Sequence, residues 1–449
     1  MKMVGVDWRE QLGDRLISAE RAAELVQSGD RIYFTMGREA HAVGLAIAAR
    51  MGELHHVQVR CSTPGYDFGW YDEGWQDAFE VSLTMPTGVS QEAFDARRVD
   101  LVPRSIISQA RPNADWTEPD ILLTEVSPPD RRGFCSFGQS LWNKRKQIAD
   151  QRRHGKPVIA EVNENLIRTF GNNFIHISEI DYFVEHVGSG SAVSSGTLAG
   201  RAKKDFEPYH KAIAELVREL IRDGDCLQIG VGRTTEPLAT LGAFDGKHDL
   251  GYHSEATPPG IITLVREGVI NGSRKPIHPG KVIVTSLGGG TKQEMEWAGE
   301  NPIFELNDFD YVADPRVISS NDQMVAINNV LTIDLCGQMT AETVGRRVIA
   351  GPGGQPSFMT GAMLSKGGRC IHVLPSTALD GKVSRIVPEL PEGTVVTVPR
   401  YMADYVVTEY GVARLFGESL RKRAEALIAI AHPDFRSELR KEAQRRLWP

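Results

Sequence analysis

Two stretches of this 449-residue chain decide its reading: SAERAAELVQSGDRIYFTMGREAHAVGL, residues 18–45, and IAELVRELIRDGDCLQIGVGRTTEPLAT, residues 213–240. Shifted by 195 residues they align without a gap, and eight of 28 positions are identical, among them Gly29/Gly224, Asp30/Asp225, Gly37/Gly232 and Arg38/Arg233. Matching at composition frequency would give roughly two. In each copy, apolar residues at helical spacing (Ala22, Leu25, Val26; Val217, Leu220, Ile221) lead to a Gly-Asp pair, and Gly accepts the left-handed backbone that closes a helix. A short apolar strand follows at residues 32–34 and 227–229, then a glycine-bearing loop and a further apolar, helix-like segment. A strand, a glycine loop and a helix in succession present backbone N–H groups to a ligand.

The remainder of the chain continues the alternation. DILLTEV (120–126), KPVIAEV (156–162), KVIVTSL (281–287), RCIHVLP (369–375) and GTVVTVP (393–399) read as strands between helical segments, the α/β pattern. The small, polar stretch GSGSAVSSGTLAGRAKK, residues 188–204, reads as the linker between two similar α/β halves, with domains expected at 1–200 and 201–449.

Composition excludes several classes. Hydrophobic residues at 41% and charged residues at 24% are those of an ordinary folded protein. A net charge of −7 and a pI near 6.0 argue against a dedicated nucleic-acid binder, which needs a basic excess. Five dispersed cysteines (Cys61, Cys135, Cys226, Cys336, Cys370) with no C-x-x-C pair read as reduced thiols, and no Cys/His cluster has zinc spacing. The charged N-terminus, MKMVGVDWREQLGDRL, lacks the apolar run of a signal peptide, so a cytoplasmic location and no membrane association are expected. The sequence has no G-x-x-x-x-G-K-[ST], H-E-x-x-H, G-x-S-x-G or complete G-x-G-x-x-G, and Gly230-Val231-Gly232 lacks the third glycine of a dinucleotide fingerprint.

The strongest local signal is DLGYHSEATPPGIITLVREGVINGSRK, residues 249–275, in which Glu255 stands between His253 and Pro258-Pro259-Gly260. A carboxylate framed by prolines and glycine is rigidly presented, as a nucleophile or general base must be. It also suits a cap on a helix starting at Ile261, where it would meet the positive helix end. From these residues alone, capping is the more economical reading. Two glycine clusters, Ser286 to Gly290 and Gly351-Pro352-Gly353-Gly354-Gln355, allow close backbone approach to a ligand or simply form tight turns. Residues 307–329 and Thr408 to Gly411 are polar stretches in apolar surroundings, and Lys382 and Arg385 are candidate phosphate contacts.

Taken together, these motifs resemble the acetyl-CoA hydrolase/transferase family, which includes 4-hydroxybutyrate and butyrate CoA-transferases within the class I CoA-transferase superfamily. The likeness is carried by LTEVSPPDRRGFCSFG (123–138), GNNFIHISEIDYFVE (171–185), GYHSEATPPGIITLVREGVI (251–270), ADPRVISSNDQMVAIN (313–328), GPGGQPSF (351–358), LPSTALDGKVSRIVP (374–388), YVVTEYGVARLFG (405–417) and IAHPDFR (430–436). The resemblance implies two NagB/RpiA/CoA-transferase-like open α/β domains in tandem. It also implies a ping-pong CoA-transferase in which Glu255, the glutamate of the G-x-H-[ST]-E segment, is the nucleophile that carries CoA as a thioester. That reverses the capping preference. The same resemblance places oxyanion donors at the N–H groups of Val231 and Gly354, and CoA contacts at Gly230, Val231, Gly232, Arg233, Thr234, Gly353 and Gly354, with Lys382 a candidate for a further one. Coenzyme A is then a substrate, with no resident cofactor or metal, and partners are an acyl-CoA and a small carboxylate (4-hydroxybutyrate, butyrate, acetate, succinate or itaconate type).

Two positions depart from the family pattern: Ala313 where an asparagine is expected before Asp-Pro, and Leu379 where a CoA-binding lysine is expected, leaving Lys382 or Arg385 as substitutes. In the first half, Met36 takes the repeat position of Val231, where a bulky thioether would line or plug the acyl pocket. Homo-oligomerisation is expected from the family and from general frequency. The alternatives are an acyl-CoA hydrolase using the same glutamate, in which water replaces the acceptor acid, and a non-catalytic CoA-sensing protein, favoured only by Ala313 and Leu379.

Overall fold

The computed structural model describes residues 7–37, 39–104, 119–188 and 206–448. The chain falls into two compact units, one of Met1–Pro103, Arg111–Gly200 and Thr285–Phe309, the other of Arg104–Ala110, Arg201–Val284 and Asp310–Pro449. Set against a division into 1–200 and 201–449, the stretch Thr285–Phe309 goes with the first unit. Residues 189–204 of the expected linker, Arg38 of the repeat and the first six residues lie outside the described residues.

The first unit is built on β1 (Arg31–Phe34), β2 (Val57–Cys61), β3 (Phe79–Leu83), β4 (Asp100–Leu101), β5 (Ile121–Val126), β6 (Val158–Val162) and β7 (Tyr182–Glu185). Their lateral order is β7-β6-β5-β1-β2-β3-β4, and every neighbouring pair is parallel. The second unit places β8 (Cys226–Ile229), β9 (Gly251–His253), β10 (Val282–Val284), β11 (Met324–Asn329), β12 (Arg369–Val373), β13 (Tyr405–Thr408) and β14 (Gly411–Arg414) in the order β14-β13-β12-β11-β8-β9-β10. Its pairs are parallel except for the antiparallel edge strand β14. Strands β5, β6, β8 and β12 are buried along their whole length, as in sheets covered on both faces. In both units the strand order reverses beside the first strand, between β5 and β1 and between β11 and β8. Such reversals open a crevice at the carboxyl ends of the strands.

The internal repeat has a physical basis. Gly29 and Gly224 adopt φ of 85° and 80°. The following aspartates close the turn in the same way: Asp30 accepts the Gln27 N–H and Asp225 the Arg222 N–H, each at 2.7 Å. The carbonyls of these aspartates receive the next strand, from Gln58 at 2.8 Å and from Gly251 at 2.9 Å. Expected strands at 120–126, 156–162, 281–287 and 369–375 are found as β5, β6, β10 and β12.

Three readings need correction. GTVVTVP (393–399) is not a strand: the Val395 N–H goes to the Thr343 hydroxyl, the Thr397 and Val398 N–H groups both go to the Met339 carbonyl, and Pro399 supplies no donor. The second repeat copy has only turns after Gly232, because Pro237, Gly242 and Gly246 interrupt a helix there, whereas the first copy has the helix His41–Ala48. That helix has no capping side chain of its own, and the buried Glu161 supplies one from β6, accepting the Ala42 N–H at 2.7 Å. Finally, part of the polar stretch 307–329 is the central strand β11.

Asp225 and Arg369 form a buried ion pair that ties the start of β8 to the start of β12, with Arg369 Nη1 at 3.2 Å from Asp225 Oδ1. Arg369→Met strands the carboxylate and is expected to lower unfolding stability by about 3–5 kcal/mol. Urea unfolding of this variant beside Asp225→Asn/Arg369→Met tests it, since the double variant removes both charges and loses less.

Candidate active site around Glu255

The turn Gly230-Val231-Gly232 leaves the carboxyl end of β8 at the point of strand reversal. The Gly230 N–H continues the ladder to the Ile327 carbonyl at 2.8 Å. A Cβ on Gly232 would lie 3.0 Å from that of Asn329, so the loop and the end of β11 are closely packed. The Val231 side chain is 39% exposed, and among the described residues its N–H has no acceptor.

Glu255 comes from the neighbouring strand β9. The Ser254 N–H donates to the Ile283 carbonyl at 3.0 Å, and its hydroxyl is 3.4 Å from both the N and the O of Ile229. Glu255 is therefore presented at the sheet edge beside the turn. The buried Tyr252 hydroxyl donates to the Ala256 carbonyl at 2.7 Å, spanning Glu255 and holding its backbone between two fixed points. His253 is fully buried, and loss of water pushes its pKa down to about 3. Its neutral ring donates from Nε2 to the Val312 carbonyl at 2.7 Å, and among the described residues Nδ1 has no hydrogen-bond partner.

Glu255 does not cap the helix Ile261–Arg266. The N-cap is Gly260, at φ 89°, five residues further on. Glu255 keeps a sliver of surface, but the protein packed around it excludes enough water to push its carboxyl up to about 7. The third element is the GPGGQ loop: Gly353 adopts φ 53°, and Gly354 is the N-cap of the helix Gln355–Leu364, which rests on β11 and β12. Among the described residues the Gly354 N–H also has no acceptor, and it stands at the positive end of a ten-residue helix. A carboxylate, a turn N–H and a helix-end N–H thus all belong to the carboxyl edge of one sheet.

The other expected residues separate into used and unused groups. Arg233 is exposed and its carbonyl accepts from His210 Nε2 at 3.0 Å, while Thr234 is buried. Lys382 is exposed beside a hairpin tip at which Leu379 (72% exposed) and Asp380 hold φ of 50° and 55°. Arg385 donates to the carbonyls of Thr377 at 3.2 Å and Leu331 at 3.0 Å, which engages its guanidinium structurally. Ala313 is fully buried. Glu409 accepts both the N–H and the hydroxyl of Ser376, at 2.9 and 2.6 Å. Met36 is half-buried in the first unit, on the turn after β1 that matches Val231 after β8. The Ser286–Gly290 cluster also belongs to the first unit, where the Leu287 N–H binds the Gln139 carbonyl at 2.8 Å. Tyr252 and Ser254 carry no sequence signal of their own, because their partners are backbone groups brought near only by folding. Among the described residues no group of three or more His, Cys, Asp or Glu side chains is placed to hold a metal ion.

Residues 2–193 match the acetyl-CoA hydrolase/transferase N-terminal domain and residues 290–443 the acetyl-CoA hydrolase/transferase C-terminal domain. The 4-hydroxybutyrate coenzyme A transferase of Clostridium kluyveri is 40% identical over 448 residues, covering 98% of this chain and all of the relative. The chain belongs to the acetyl-CoA hydrolase/transferase family. The succinyl-CoA:cyclohexane-1-carboxylate CoA transferase of Geobacter metallireducens is 36% identical over 98% of this chain and 97% of its own length. The crystal structure of RipA from Yersinia pestis superimposes with a TM-score of 0.87 at 31% identity, covering 99% of this chain and 100% of that one.

A carboxyl raised by burial opposes folding once it ionises. The folded state holds the proton up to about pH 7, whereas the unfolded chain releases it near 4.5, so stability is full below about 4.5 and falls as pH rises through 7. Glu255→Gln removes this loss, and relative to it the native protein is expected to lose about 2 kcal/mol between pH 5 and pH 8. Chemical denaturation of both proteins at the two pH values checks the sign and size. Tyr252→Phe is expected to cost about 1–2 kcal/mol by leaving the buried Ala256 carbonyl without its donor, read from the unfolding midpoint.

Proposed function

We propose that this protein is a CoA-transferase that moves CoA between a short-chain acyl-CoA and a small carboxylate through a glutamyl-CoA thioester on Glu255. The observation that carries the reading is the partly desolvated Glu255 carboxyl, held beside the Val231 turn in the same unit as the Gly354 helix end. A carboxylate that has lost part of its hydration is a better nucleophile towards a thioester carbonyl than one in bulk water. Its oxygen bonds to the acyl carbon, the C–S bond breaks, and CoA leaves as a thiolate. The thiolate then attacks the Glu255 carbonyl carbon of the mixed anhydride and expels the first acid as its carboxylate. An incoming carboxylate reverses the two steps and departs as acyl-CoA. No net proton transfer is required, so the neutral His253 is not needed as an acid or base.

Each attack passes through a tetrahedral oxyanion. The N–H groups of Val231 and Gly354, which have no acceptor among the described residues, suit that charge, and a fixed donor there contributes about 3 to 4 kcal/mol of transition-state stabilisation. Gly230, Gly232, Arg233, Thr234, Gly353 and Lys382 would meet CoA. Lys382 is the better substitute for the lysine missing at Leu379, because Arg385 is engaged by carbonyls. Met36 would set the acyl-chain profile. The acids proposed are of the 4-hydroxybutyrate, butyrate, acetate, succinate or itaconate type; the names of the two curated relatives include 4-hydroxybutyrate and succinyl-CoA. We also propose a cytoplasmic, homo-oligomeric enzyme. No helix among the described residues is long and apolar enough to cross a membrane.

Incubation with acyl-CoA alone is expected to leave a CoA-sized, borohydride-sensitive adduct on the Glu255 peptide by mass spectrometry, and Glu255→Ala is expected to lose about 10³-fold or more in turnover. Full activity in that variant, or an adduct elsewhere, defeats the proposal. The rate of adduct formation is expected to rise with pH up to about 7 and then level off, because only the ionised carboxyl attacks. CoA release with and without each acceptor acid separates transfer from hydrolysis, and an unchanged acyl-chain profile in Met36→Gly would remove Met36 from the pocket.

A further inference from the structure

The oxyanion turn has a buried foundation. Gln228, on β8, and Asn328, on β11, face each other across the strand reversal and exchange two hydrogen bonds: Asn328 Nδ2 donates to Gln228 Oε1 at 2.9 Å, and Gln228 Nε2 donates to Asn328 Oδ1 at 3.2 Å. Both side chains are almost fully buried, at 2% and 4% exposure. Each carboxamide uses the other as its side-chain partner. On the far side of Asn328, its register neighbour on β12 is His372, which is fully buried and neutral, with neither ring nitrogen hydrogen-bonded among the described residues.

The pair touches the turn itself. A Cβ built on Gly230 would lie 2.4 Å from Asn328 Oδ1, so the Asn328 carboxamide occupies the space a side chain at 230 would need. The Gly230 backbone is therefore held from two directions, by its N–H bond to Ile327 and by the carboxamide pressed against its Cα. The next amide in the chain is that of Val231. A polar pair buried in a sheet is a weak source of stability compared with apolar side chains of the same shape, but it has directional geometry that apolar packing lacks.

We infer that the Gln228–Asn328 carboxamide pair is a positioning element for catalysis, fixing where the Val231 N–H points when an oxyanion forms on the carbonyl under attack. This rests on the reading of Val231 as an oxyanion donor and of Glu255 as the nucleophile. Neither Gln228 nor Asn328 is required to touch substrate. The role is specific to the transition state, so its loss slows the chemical steps and leaves acyl-CoA binding nearly intact.

Asn328→Leu, Gln228→Met/Asn328→Leu and Asn328→Asp test it. In each, the Glu255 adduct formed with acyl-CoA gives the number of competent sites, quenched-flow gives the rate of adduct formation per competent site, and thermal unfolding is followed in parallel. The expected result is a per-site rate at least tenfold lower in Asn328→Leu and in the double variant, with KM for acyl-CoA within threefold of the native value. The double variant leaves no orphaned amide and so keeps its folding, which separates positioning from stability. Asn328→Asp has the shape of the native residue, and when protonated it both donates and accepts as the amide does. Its per-site rate relative to the native protein at the same pH is expected to recover to within threefold at pH 5.5 and to fall at least tenfold at pH 8. Per-site rates within twofold of native in the double variant, or a pH-independent ratio in Asn328→Asp, overturn the positioning role. Absence of an adduct on Glu255 in the native protein instead defeats the covalent reading, so the two failures are distinct.

Discussion

The Asp225 carboxylate is the fixed point of the second unit. It accepts the Arg222 N–H that closes the turn into β8, and it pairs with Arg369, whose guanidinium also binds the Leu220 carbonyl at 3.2 Å. A single buried group thus joins a helix end, the first strand of the unit and a strand two places away, with β11 between them. Burial makes the arrangement decisive, because a charge without its partner there is far more costly than at the surface. Strand register follows from it. A slip of one residue would turn Gln228 to the opposite face and move the glycine turn away from Asn328.

Burial then works in opposite directions on two neighbouring side chains. The exclusion of water that raises the Glu255 carboxyl to about 7 lowers the His253 imidazole to about 3, because each shift favours the neutral form. Tyr252, Ser254 and His253 all bond to backbone groups, which holds the segment around the carboxyl in place. The prolines after Glu255 and the left-handed Gly260 separate it in sequence from the next helix, so that Gly260 and not Glu255 takes the N-cap position.

The two positions that the resemblance marks as departures, Ala313 and Leu379, lie in opposite surroundings. Ala313 is sealed in the interior and offers no polar contact. Leu379 occupies an exposed hairpin whose left-handed residues direct the tip into solvent, with Lys382 close by in sequence. Arg385, equally basic, holds that hairpin to the Leu331 carbonyl. Basic residue type alone does not distinguish the two, because the deciding factor is whether nearby carbonyls already fill the donor positions of the guanidinium.

Much of the molecule was legible in the sequence. The Gly-Asp turns follow from the backbone freedom of glycine and the reach of an aspartate to an amide three residues back, both local properties, so the two α/β halves and the strands entering them could be read from the repeat. Continuous apolar runs marked β5, β6 and β12 for the same local reason. Where order depends on distant partners, the reading failed: GTVVTVP has the composition of a strand but its amides are taken by Thr343 and Met339, and β11 looked like a polar stretch because Asn328 carries its polarity inward to Gln228. The residue types at the site, a glutamate in a Pro-Gly frame and two glycine loops, were determined by sequence. Whether Glu255 capped a helix or stood free of one, and which amides were left without acceptors, was decided only by tertiary structure, since burial and hydrogen-bond satisfaction belong to the assembled sheet.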